Sequence, residues 1–89
     1  MQVRASHILI ESENQALGLL DIIKKGADFA QLAKQFSKCP SGQNGGDLGL
    51  FGRGQMVPVF ETAAFTSPIG AVVGPVKTQF GYHLIKRTA

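Results

Sequence analysis

Along residues 2–10, QVRASHILI, the apolar positions follow the period of an extended chain. Val3, Ala5, His7 and Leu9 fall on one face, and Ser6, Ile8 and Ile10 on the other. Both faces are partly apolar, which predicts a central strand. The period then changes. Ser12 and Gln15 have the spacing of a capping box. Ala16, Leu20 and Ile23, flanked by Leu19 and Ile22, recur at helical intervals as far as about Lys25. Gly26 then supplies a left-handed stop. Asp28 and Gln31 repeat the start signal, and Phe29, Leu32, Ala33 and Phe36 form one apolar stripe. The short link of Gly26 and Ala27 predicts an angled helix pair.

Residues 38–58 break all periodicity. Six of the eleven glycines lie between Gly42 and Gly54, which excludes a regular helix. The segment predicts a long loop around one short strand at residues 47–51. Long ordered loops in small domains are often functional. Pro58 suits the first turn of a third helix, with Phe60 and Ala64 on one face. Ser67 and Pro68 end it. Val72 and Val73 predict a brief extended stretch, Gly74–Pro75 interrupts it, and Val76 begins another. Residues 81–88 predict the last strand. The order is strand, helix, helix, strand, helix, strand, strand. That is an α+β fold, with an antiparallel or mixed sheet.

Composition bounds this picture. The chain has 89 residues, 44% of them hydrophobic, which suits one domain with one core over residues 1–89. The net charge of +3 comes from nine scattered Lys and Arg against six acids. Scatter of this kind, without interleaved aromatics, argues against a nucleic-acid surface. Cys39 is the only cysteine, so no internal disulfide forms, and a lone thiol suits a reducing compartment. No stretch approaches the roughly 18 apolar residues of a membrane span. The start has no signal-peptide pattern. The expectation is a cytoplasmic monomer with no membrane partner, unless the chain is part of a larger one.

Candidate chemistry centres on the two histidines, His7 and His83, one in each terminal strand. A metal site built on His7, His83 and Cys39 lacks a fourth ligand and the usual short spacings. A Cys–His nucleophile is formally open. The glycine loop lacks the Gly-Lys-Ser/Thr ending of a phosphate cradle. No metal or cofactor is expected.

Four stretches taken together are more specific. SHILI, GADFAQLAKQFSKCPSG, GGDLGLFGRGQMVPVFETAAF and GPVKTQFGYHLIKR, in this order and spacing, resemble the parvulin family of peptidyl-prolyl cis-trans isomerases, the small single-domain type above all. The resemblance covers nearly the whole chain. It implies a four-stranded antiparallel sheet wrapped by helices, with a short helix before the second strand (β-α-α-short helix-β-α-β-β) and with His7 and His83 side by side on central strands. It implies that the histidine pair shares a hydrogen-bond network with Thr78 and Cys39. It places Leu48, Met56 and Phe60 in a proline pocket bordered by Phe80. It also implies a non-covalent rotation about Xaa-Pro bonds in polypeptide substrates, in the service of folding or of native proline switches.

The chain departs from the phospho-specific members of that family. Their loop after the first strand is longer and carries clustered Arg and Lys. Here it is ESEN, with Glu11 and Glu13. The expectation is a preference for apolar or neutral residues before proline. A competing reading is a proline-segment-binding chaperone module without catalysis.

Overall fold

The computed structural model describes residues 1–89. β1 (Gln2–Ile10) leads into α1 (Glu13–Lys24) and α2 (Phe29–Phe36). A 3-10 turn (Pro40–Asn44) precedes β2 (Asp47–Gly52), α3 (Pro58–Thr66), β3 (Val72–Thr78) and β4 (Gly81–Arg87). The four strands form one sheet in the order β2-β1-β4-β3, and all three pairings are antiparallel. The first and last strands of the chain are therefore the central pair. No helix is long and apolar enough to cross a membrane.

The local signals act as the sequence predicts. The Ser12 side chain accepts from the Gln15 N–H at the start of α1, and Asp28 accepts from Gln31 at the start of α2. Each such cap satisfies one of the N–H groups a helix start leaves open and contributes about 1 kcal/mol. At the other end of the chain, Arg87 Nη1 donates to the Phe65 and Ser67 carbonyls. That guanidinium covers the open C-terminal end of α3 and ties it to β4.

The period-2 pattern of β1 separates two apolar clusters. Ile8, Ile10 and Leu84 pack with Ala16, Leu20, Phe29 and Leu32 of α1 and α2 on one face. Val3, Ala5 and Ile85 pack with Phe51, Phe60, Ala64 and Phe65 on the other. α3 thus lies opposite the helix pair. His7 and His83 belong to the α3 face.

One element differs from expectation. The two extended fragments around Gly74–Pro75 form a single strand, β3, with a register shift between Val73 and Val76. Proline has no N–H to give to a ladder, so an interior strand excludes it. β3 lies at the sheet edge, and the irregularity falls where Pro75 sits.

Just before β2, the glycine loop meets the backbone of β1 at His7. The His7 N–H donates to the Gly46 carbonyl at 2.9 Å. Gly46 has φ +85°, and a Cβ there would lie 2.3 Å from the His7 carbonyl oxygen. Only glycine lets the loop approach the histidine's backbone this closely. Gly46→Ala is expected to lower the unfolding free energy by about 2–4 kcal/mol, read by chemical denaturation. Gly54, with φ +88° and open space around its Cβ, is the control. There alanine is expected to cost only about 1–2 kcal/mol. Equal costs at both sites would show that the close approach does not constrain the loop.

Candidate functional site

In the β1–β4 ladder Leu9 stands opposite His83 and His7 opposite Ile85. The two histidines are therefore diagonal neighbours on one face. Their Nδ1 atoms lie 2.9 Å apart, and the rings are nearly parallel at 15°. One proton serves that contact, so one imidazole donates and the other accepts. His7 Nε2 meets Ser41 Oγ at 3.2 Å, and His83 Nε2 meets Thr78 Oγ1 at 2.7 Å. Thr78 Oγ1 also accepts from the Phe80 N–H at 3.1 Å. All four ring nitrogens are engaged, and no buried side-chain polar atom lacks a partner.

Phe60 of α3 presents its ring at right angles to both imidazoles, with centroids 5.6 Å from His7 and 5.3 Å from His83. The histidines are each only 5% exposed. Burial pushes His7 down to about 4, reinforced by the neighbouring His83, and burial lowers His83 as well. Both rings are neutral near pH 7. A charged ring would be poorly solvated here, and two protonated rings would set two N–H groups against each other.

The pair forms the floor of an open cavity of about 450 Å³, within the range of small-ligand clefts. Leu48, Met56, Val57 and Phe60 line it together with Leu9, Lys38, Cys39, Pro40, Gln55 and Phe80. The walls are largely apolar. Phe60 is 3% exposed, whereas Phe80 is 61% exposed. Phe60 is thus part of the core as well as the cavity, and Phe80 stands free at the rim.

The segments carrying these residues are held by backbone contacts. Ser37 Oγ accepts from the Leu9 N–H at 3.0 Å, and the Lys38 N–H donates to the Leu9 carbonyl at 2.8 Å. These bonds pin the approach to Cys39 against β1. The 3-10 turn then swings Ser41 under His7. On the far side, Glu61 of α3 accepts from the Gly54 N–H at 2.6 Å and from Arg53 at 3.2 Å. Arg53 lies 4.4 Å over the Phe65 ring. This holds the turn that carries Gln55 and Met56 against α3.

Of the residues singled out from the sequence, His7, Cys39, Leu48, Met56, Phe60, Phe80 and His83 all line this cavity. Thr78 does not line it. It sits behind His83 and reaches the site through that ring. The network that the resemblance implies joins Thr78 to the histidines, and the Cys39 thiol makes no hydrogen bond within it. The thiol lines the cavity, and Ser41 Oγ takes the place at His7 Nε2. The physical reason is the 3-10 turn, which begins at Pro40 and carries the residue after it inward. Ser41 and Gln55 were not foreseen. Neither lies in a periodic pattern, and a serine in a Pro-Ser-Gly turn has no signal that separates a ring partner from a turn former. No cluster of three or more His, Cys, Asp and Glu side chains comes together in a metal-ligating group.

Comparison with known proteins places this geometry. The family model described as the PPIC-type PPIase domain matches residues 1–89. The foldase protein PrsA of Geobacillus sp. (strain WCH70) is 53% identical over 88 residues, covering 98% of this chain and 32% of the relative. The chain thus spans about a third of that relative's length. The crystal structure of the peptidylprolyl isomerase PrsA from Bacillus anthracis superposes with a TM-score of 0.96 at 46% identity, over 98% of this chain and 41% of that one. The solution structure of NmPin, the parvulin of Nitrosopumilus maritimus, gives a TM-score of 0.89 at 42% identity, covering 99% of this chain and 96% of that one.

The depressed His7 pKa sets a pH dependence of stability. Unfolded His7 takes up its proton near 6.5 and folded His7 near 4. Between these values the unfolded state binds more protons. The stabilisation is fully present above pH 6.5 and is lost as pH falls toward 4. The loss is expected to reach on the order of 3 kcal/mol. Denaturation curves across this window check it. His7→Gln is expected to be less stable at pH 7 but flatter below it, retaining only the share of His83. An unchanged slope in His7→Gln would locate the proton uptake elsewhere.

Proposed function

Because the chain belongs to the PPIC-type peptidyl-prolyl isomerase family, we propose that it rotates Xaa-Pro peptide bonds in polypeptide substrates without a covalent step. The observation that carries this reading is the cavity: a largely apolar cleft whose floor is two neutral imidazoles with every ring nitrogen already bonded. Such rings have no free lone pair or proton to give a substrate. They suit a part in shaping the site.

The barrier to be lowered is about 18–20 kcal/mol, set by amide resonance. Left alone, exchange takes on the order of 10–100 s. At the twisted transition state the amide loses conjugation and the nitrogen becomes pyramidal. The protein helps by binding that state better than the planar one. Leu48, Met56 and Phe60 hold the proline ring in an apolar slot, with Phe80 at the border. Cys39 lies near the carbonyl and tunes the local field. Thr78 and Ser41 fix the two imidazoles, which fix the cavity floor. Transfer of the bond from water into an apolar cleft disfavours the polar planar amide.

The substrate residue before proline is apolar or neutral on this reading. Glu11 follows β1 directly, and the short acidic segment offers a phosphate no cation. The chain acts as one isomerase domain and as a monomer, without nucleic acid or membrane as partner. Its lone thiol supports a cytoplasmic placement, and cell fractionation that recovered it outside the cytoplasm would overturn that. Assistance to folding or switching of native prolines is the role.

Exchange spectroscopy by NMR on a Leu-Pro peptide, with a catalytic amount of protein, tests the activity. Exchange cross-peaks at millisecond-to-second mixing times are expected. Saturable binding without exchange, in a folded protein, would select a binding module instead. In the same assay a phosphoserine-proline peptide is expected to turn over more slowly than Leu-Pro, and the reverse order would refute the proposed preference. Cys39→Asp is expected to keep its activity within about a hundredfold, less than the 10²–10⁴ typical of a lost acid–base group. Complete loss in a folded Cys39→Asp protein would point to an obligatory thiolate.

A further inference from the structure

We propose that a basic cleft beside the proline cavity, lined by Lys34 and Lys38, selects substrates that carry carboxylate side chains a few residues from the isomerising proline. The proposal rests on the isomerase reading above and adds a substrate class to it. The cleft has a volume of about 340 Å³ and is also lined by Ser37, Gly42 and Gln43. It shares Lys38, Cys39 and Pro40 with the proline cavity. A polypeptide lying in that cavity and leaving over this shared ridge enters the basic cleft. At about 3.3 Å per extended residue, the second to fourth residues from the proline lie roughly 7–13 Å along the chain, which is the span the test peptides vary.

The charge is one-sided. No Asp or Glu lines either cavity. Lys34 and Lys38 are both exposed, and neither takes part in an ion pair. Lys34 stands in the last turn of α2, where the helix dipole favours a cation. That accounts for one lysine and not for the other. Lys38 lies beyond the helix with its backbone bonded to Leu9, and no group of the chain neutralises its ammonium. Both ammonium groups border one cleft, and an acidic segment there meets two charges at once. The cleft contains no aromatic side chain, so it offers a nucleic acid no stacking platform. An acidic polypeptide is the occupant that fits.

The test uses peptides with one Leu-Pro bond and either Glu or Gln at the second to fourth positions, in one series before the proline and in another after it. At an ionic strength of about 0.01 M, kcat/KM from exchange spectroscopy is expected to be about three- to tenfold higher for Glu than for Gln in one series. At about 1 M salt the ratio is expected to fall toward one. Lys34, which lines only the basic cleft, provides the variant. Lys34→Glu is expected to bring the ratio to one or below while leaving the Gln peptide's rate unchanged. A ratio of one in both series at low salt, or a ratio that Lys34→Glu leaves intact, would overturn the proposal. Absence of exchange with every peptide would strike the isomerase reading instead. Glu-over-Gln affinity, read from the Lys38 and Gln43 amide shifts, then decides the cleft by itself.

Discussion

Everything at the site depends on the pairing of the first strand with the last. His7 and His83 are 76 positions apart in the chain, yet their Nδ1 atoms stand 2.9 Å from each other. The β1–β4 ladder sets that distance, because a shift of one residue in register would turn one ring to the opposite face. Apolar packing on both sides enforces the register. Ile8, Ile10 and Leu84 must face α1 and α2, and Val3, Ala5 and Ile85 must face α3. The imidazoles occupy positions in that alternation that would otherwise hold aliphatic side chains.

Placing polar rings there carries a desolvation cost. The structure offsets it by bonding each ring nitrogen and keeping both rings neutral. Two segments outside the central strands supply partners, the turn after α2 with Ser41 and the end of β3 with Thr78, and each histidine serves the other. α3 adds the edge-on contact of Phe60. A change in any one of these segments is felt in the cavity floor. The site is thus a convergence point of the fold, and its chemistry asks for shape and polarity more than for a reactive group. That suits rotation about a bond, in which no bond to the substrate is made or broken.

The helices were legible because their signals are local. Ser12 and Asp28 are caps whose partners lie three residues away, and the apolar stripes are periodic. β1 was legible from its alternation. β3 was read as two pieces because Pro75 looks like a break; its tolerance follows from the edge position, which no local pattern reveals. The cavity residues came from resemblance and not from spacing, since Leu48, Met56 and Phe60 have no shared period. Ser41 escaped both routes. The chain around it reads as a turn, and only the turn's geometry in space shows that it meets His7 in place of Cys39.

The site depends on a histidine pair that is neutral and fully engaged while the protein works. Long-range ¹H–¹⁵N correlation spectra of the imidazoles, recorded from pH 8 to 4 beside the isomerisation rate, test this most directly. The expected result is two neutral rings near pH 7, each with one protonated nitrogen, and protonation of His7 only near pH 4, with activity lost there. Rings that titrate near 6.5, with the rate rising or falling on the same curve, would contradict it and assign the histidines a proton-transfer role.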